Sequence, residues 1–169
     1  MKQRGHVCRQ AGFSLVELLL YMGLFSILLV SLMQLFGSIL AVRLESEATS
    51  AVLQDGRYIL SRFAYDVKRS SNIVAPTFGT PGPELTITGP SINYTYKIVA
   101  NNLVLQNNTT SVKEQLNSAD TKISSATFTK LGTPGGKETV QIKVTLNSLA
   151  IRQGGNPETK TFQTTVGTR

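Results

Sequence analysis

The sequence predicts an α+β chain: a long N-terminal helix, its first half crossing a membrane, packed on a C-terminal antiparallel β-sheet. Three observations carry this. Residues 18–42 form an uncharged run, about 25 residues against the ~20 that a helix needs to cross a bilayer. Residues 43–70 lack proline and space apolar side chains three or four apart, as on one helix face. From residue 77 on, Thr-, Val- and Ile-rich segments alternate apolar and polar residues between Gly- and Pro-containing turns.

In chain order, residues 1–12 form a basic leader with Lys2, Arg4 and Arg9 and no acid, so this end is expected to stay in the cytoplasm. A secretory signal has an apolar region of about 7–15 residues and then a small-residue cleavage site. Here the apolar run is far longer, and the small residue, Gly12, precedes it. A cut after Gly12 would leave the helix on the mature chain. Within residues 13–42 the only charge is Glu17. An acid at the bilayer centre costs ~2.5–3.5 kcal/mol on insertion scales. Glu17 can snorkel to the interface, or it can neutralise a positive charge from another chain. The ammonium that cleavage would create on Phe13, four residues upstream, could be that charge.

The run Gly12-Phe13-Ser14-Leu15-Val16-Glu17-Leu18-Leu19 behind a short basic leader resembles the type IV prepilin family, which includes the pseudopilins of type II secretion. The resemblance implies a pilin-like fold and cleavage between Gly12 and Phe13 by a prepilin peptidase that also N-methylates Phe13. It implies that Glu17 is the assembly contact, pairing with a neighbouring subunit's N-terminus. The implied partners are that peptidase, other pilins or pseudopilins through the N-terminal helix, and the inner membrane, with no cofactor. One feature departs from the family: major pilins usually carry a proline midway along this helix, and none lies between Phe13 and Ala75. Gly23 and Gly37 are the only weak points in the apolar segment, each costing about 1 kcal/mol in a helix. That favours a low-copy, minor subunit.

Residues 43–72 continue the helix as an amphipathic segment. Ala48, Val52, Ile59, Phe63 and Val67 make its apolar face. Arg62 with Asp66, and Asp66 with Arg69, are spaced to pair for a few tenths of a kcal/mol each. The helix is expected to end at residues 70–72, ahead of Pro76, making a rod of about 60 residues, roughly 90 Å long. The run at residues 53–68 is similar to the region after the membrane helix in W-type minor pilins and J-type minor pseudopilins.

One globular domain follows, residues 73–169. Its candidate strands are 84–88, 92–99, 102–106, 122–131, 138–151 and 159–166. Gly79-Thr80-Pro81-Gly82, Gly89-Pro90, Ala100-Asn101, Gly132-Thr133-Pro134-Gly135-Gly136 and Gly154-Gly155-Asn156-Pro157 read as turns. Residues 107–120 are polar and read as a loop with room for one helical turn. Strands joined by short turns imply an antiparallel sheet, and one of its faces needs the helix as cover.

Composition narrows the function. The net charge is +7, from 17 basic and 10 acidic residues, but three of the positives lie in the leader. Cleavage would leave 14 against 10, or +4, which does not point to a nucleic-acid partner. His6 and Cys8, the sole histidine and cysteine, also lie in the leader, so a processed chain has no His base, thiol nucleophile or Cys/His metal site. The Gly-rich run at 132–136 fails as a phosphate loop, because Leu131 replaces the first glycine and Glu138 the Ser or Thr. An enzyme is not expected: Glu84, Glu114, Asp120, Glu138 and Glu158 are scattered without obvious pairing. The expected function is a minor pilin or pseudopilin, a structural subunit of a type IV pilus or secretion pseudopilus, stored in the inner membrane with its C-terminal domain outside. The alternative is a DNA-uptake or adhesion pilin whose basic sheet face, built on Lys122, Lys130, Lys137 and Lys143, holds a ligand.

Overall fold

The computed structural model describes residues 14–132, 136–152 and 154–168. Among these residues one helix, α1 (Leu15–Arg69), precedes nine strands: β1 (Asn72–Ala75), β2 (Pro81–Gly82), β3 (Leu85–Gly89), β4 (Ile92–Val99), β5 (Asn102–Asn107), β6 (Lys113–Gln115), β7 (Thr121–Leu131), β8 (Thr139–Ile151) and β9 (Pro157–Gly167). The chain divides into two units after Leu40.

In the first unit every large apolar side chain from Leu15 to Leu40 is exposed, by between 43% (Leu40) and 75% (Leu15). The segment is long and apolar enough to cross a membrane. Two of its serines bond within the helix: Ser26 Oγ donates to the Met22 carbonyl (2.7 Å), and Ser38 Oγ to that of Leu35 (2.9 Å). The helix runs unbroken through Gly23 and Gly37.

In the second unit α1 buries the apolar face expected of it. Ala48, Val52, Ile59, Phe63 and Val67 are all fully buried, worth ~1.5–3 kcal/mol for each large side chain. They cover antiparallel sheets, and the fold is α+β as the patterning required. The strands form two sheets rather than one, with orders β1-β3-β4-β5-β6 and β2-β7-β8-β9. Tyr96 of β4 stands between Phe63 of α1 (centroids 6.2 Å, edge-on) and Phe128 of β7 (6.3 Å). Helix and both sheets meet at that fully buried ring.

Three short strands were not anticipated. β1 follows directly on the helix and pairs with β3. Pro81 and Gly82, read as turn residues, pair as β2 with the edge of β7. The polar stretch at 107–120 contributes β6, paired with β5, rather than a helical turn. All three are edge strands, where a proline or a polar sequence is tolerated because one side of the strand needs no partner. The run at 132–136 lies mostly outside the described residues.

A bulge in β7 decides which of its side chains enter the core. The register with β8 shifts between Ile123 and Ser125. Before the shift Thr121 and Ile123 point inward; after it Ala126, Phe128 and Lys130 do. One added residue flips the two-residue phase, so Lys122 and Lys130 lie on opposite faces despite their even spacing.

Gly56 is the close-approach point of α1. The Phe162 ring of β9 lies over it, and an added Cβ would overlap that ring, coming to 2.6 Å from Cε1. Gly→Ala in a helix ordinarily gains about 1 kcal/mol, but overpacking costs ~1–3 kcal/mol. Gly56→Ala is therefore expected to destabilise the full chain in detergent by about 1–2 kcal/mol in urea unfolding. Adding Phe162→Leu should recover part of the loss. A stabilised Gly56→Ala would show that the ring moves aside freely.

Candidate functional site

The candidate site is the head of α1. Gly12 and Phe13 lie outside the described residues. The first turn closes with the Leu18 amide donating to the Ser14 carbonyl at 3.1 Å. Glu17 falls in this turn, where the partial positive charge of the helix N-terminus favours an anion. It is exposed, and its Oε1 accepts a hydrogen bond from the Tyr21 hydroxyl at 3.2 Å, one turn on. Around this pair the surface is apolar: Leu18, Tyr21, Met22, Leu24, Phe25 and Leu28 line an open groove of about 460 Å³. A single carboxylate among large uncovered hydrophobic side chains suits lipid or other apolar helices, not water. Sequence reasoning singled out Glu17 but missed Tyr21. The signal was there, a hydroxyl donor at the i+4 position of the only acid in residues 13–42.

The second unit has charge clusters, and they tie its layers together. Asp55 of α1, 7% exposed, takes three hydrogen bonds on Oδ2, from the Ser118 amide and hydroxyl (both 2.8 Å) and from Thr121 Oγ1 (2.5 Å). Buried Asn117 presents those donors: its Oδ1 accepts from the Leu103 amide, and its Nδ2 donates to the Thr121 carbonyl. Asp66, 1% exposed, accepts on Oδ2 from the Tyr96 hydroxyl (2.7 Å) and Arg62 Nε (2.9 Å). Burial pushes the Tyr96 phenol well above its ordinary range, and the Asp66 carboxylate acts in the same direction, so Tyr96 stays an O–H donor. The expected Arg62–Asp66 pair thus forms, but as a part-buried link in which the carboxylate is buried and the guanidinium keeps some contact with water. Arg69 turns instead to Tyr65, donating to its hydroxyl at 2.9 Å.

The proposed basic face loses a member. Lys130 is 6% exposed and points inward, because the β7 bulge switched its phase. Its Nζ lies 2.6 Å from Glu138, donates to the Ile73 carbonyl (2.5 Å) and sits over the Phe78 ring. Glu138 in turn accepts from the Ile73 amide, so the pair clamps β1 at both backbone polar groups of one residue. Lys122, Lys137 and Lys143 are exposed. The carboxylates that looked unpaired mostly have partners: Glu114 faces Arg62 (3.7 Å), and Glu158 pairs with Arg152 and Lys160. Among the described residues no three metal-ligating side chains cluster.

Comparison with known families places the head of α1. Residues 8–33 match the prokaryotic N-terminal methylation motif. No curated protein and no solved structure matches the chain. The matched stretch contains Gly12, Phe13 and Glu17 and runs into the apolar first half of α1. The chain therefore carries an N-terminal methylation motif at the head of a membrane-length helix, with an α+β domain behind it, which supports a type IV pilin-like precursor.

Proposed function

We propose that this chain is a minor pilin or pseudopilin, a structural subunit rather than a catalyst. It is held in the inner membrane by residues 13–42, with residues 1–12 in the cytoplasm and residues 73–169 outside. A prepilin peptidase cuts between Gly12 and Phe13 and methylates the new amine. The released subunit joins other pilins through its apolar helix, and Glu17 meets the Phe13 ammonium of a neighbour. The observation that carries this reading is the match at residues 8–33, which brackets both the Gly12–Phe13 bond and Glu17. Physical chemistry supports the pairing: an acid costs ~2.5–3.5 kcal/mol at the bilayer centre, and where it cannot snorkel to water a cation meeting it offsets that cost.

The unbroken helix through Gly23 and Gly37 supports a minor role. In the family that the sequence resembles, major pilins usually carry a proline midway along this helix, where it opens the hydrogen-bond ladder, and none lies between Phe13 and Ala75 here. The test is mass spectrometry of the full chain made with and without a prepilin peptidase. With the enzyme, the product is expected to begin at Phe13 and carry one added methyl group; without it, residues 1–12 remain. An intact leader in the presence of active peptidase, or a terminus beyond residue 42, would overturn the reading.

A further inference from the structure

Among the described residues the two sheets have four edges, and three of them are short. β1 and β6, of four and three residues, flank one sheet, and β2, of two, borders the other. Edges of that length offer a foreign strand few hydrogen bonds. β9 is the exception, an edge of 11 residues. It also lacks the usual guards against pairing, which are prolines, bulges and unpaired charges. Pro157 is its only proline, and its ladder with β8 runs without a shift from Thr159 to Gly167. Its charges are Glu158, buried, and Lys160, 3.6 Å from that carboxylate; residues 161–167 carry none. Alternate residues of a strand turn N–H and C=O to one side. β8 takes one set of these groups, and within residues 159–167 no described group bonds the other.

The surroundings of this edge describe what it would take. Phe162 and Val166 face the helix side, Phe162 only partly buried over Gly56, whereas Thr161, Gln163 and Thr165 face water. A strand laid beside them would match that alternation, apolar on one face and polar on the other. At its C-terminal end β9 opens on a groove of about 500 Å³ lined by Tyr65, Lys68, Arg69, Gly167 and Thr168. Arg69 is held over the Tyr65 ring, 5.1 Å from its centroid, and neither cation meets a carboxylate among the described residues. A second copy of β9 brings no free acid to this groove, since its Glu158 is engaged by Arg152 and Lys160. We propose that β9 is a docking edge: an extended segment of another protein adds to it as a further strand, with an acidic residue at the end that reaches Lys68 and Arg69. Main-chain hydrogen bonds give such a site its affinity, and the side-chain alternation and the acid give it selectivity. The site stands apart from Glu17 and does not depend on its role.

The test is hydrogen exchange, read by mass spectrometry on the full chain in detergent, with synthetic peptides at millimolar concentration. The probe alternates threonine and valine and has aspartate at both ends, so either strand direction brings an acid to the groove. One control is N-methylated along its backbone, and a second carries lysine in place of aspartate. The aspartate peptide is expected to slow exchange within residues 159–167 about tenfold, and the N-methylated one to leave it unchanged. The lysine peptide should need about three- to tenfold more for the same protection. In the double variant Lys68→Glu, Arg69→Glu the order of the two should reverse, which also shows that the variant is folded. No slowing at 159–167, or equal slowing by the N-methylated peptide, would overturn the docking edge. Equal binding of the aspartate and lysine peptides would overturn the acidic end. Protection of 159–167 that rises with chain concentration alone would give the edge to a second copy and overturn the proposed partner.

Discussion

Replacing Glu17 with alanine is expected to leave the chain cleaved at Gly12 and membrane-bound while its recovery in filaments falls at least about thirtyfold. The estimate follows from the cost of truncating one member of a desolvated charge pair, about 2–5 kcal/mol, at 1.4 kcal/mol per factor of ten. Cleavage should survive because the scissile bond and the basic leader are untouched. Insertion should improve, because the only charge in residues 13–42 is gone. Fractionating cells into membrane and sheared-filament pools, with blotting for the chain, reads both quantities. Filament recovery within a factor of two of the parent would show that the carboxylate is not an assembly contact.

The second large effect lies in the outer domain. Asp66→Ala is expected to destabilise the folded chain by about 2–4 kcal/mol, since a buried hydroxyl loses its acceptor at a cost of ~1–3 kcal/mol and a part-buried ion pair is broken. The loss is large because two donors are orphaned together. The Tyr96 hydroxyl is left buried without an acceptor, at the point where helix and both sheets meet. Arg62 loses its close partner and keeps only Glu114, at 3.7 Å. Asp66→Asn retains one acceptor oxygen and should lose less. Urea unfolding of the full chain in detergent, followed by near-ultraviolet circular dichroism of the buried tyrosine, measures the effect. A loss under about 1 kcal/mol would place the helix–sheet attachment in the apolar packing alone.

Neither aspartate's importance could be read from the chain. Asp55 and Asp66 lie on the same stripe of α1 as Val52, Ile59 and Phe63, and all are buried. Helical periodicity foretold the apolar members of that stripe, because an amphipathic pattern is a property of one segment. A carboxylate on the stripe makes sense only once its donors are known, and apart from Arg62, four residues before Asp66, those come from residues 30 to 66 positions away. Gly56 is similar: nothing in its own stretch of helix marks it out, and only the Phe162 ring lying over it gives it a role.

What the sequence determined by itself is whatever depends on neighbours in the chain. The basic leader, the Gly-Phe junction, the acid four residues on and the uncharged run are consecutive, and lipid solvation acts on such a run as a unit. The main strands 92–99, 122–131 and 138–151 were legible within a residue or so for the same reason, since alternation is a local property. Tertiary structure decided everything set by register and partner: two sheets in place of one, edge strands made from turn-like and polar residues, and the fate of Lys130. That lysine looked like an exposed surface charge because a regular strand puts every second residue on one face. A single bulged residue in β7 reversed the face, and burial beside Glu138 and the Ile73 backbone then made it a clamp. Phase along a strand is set by the strand beside it, and no stretch of chain carries that information alone.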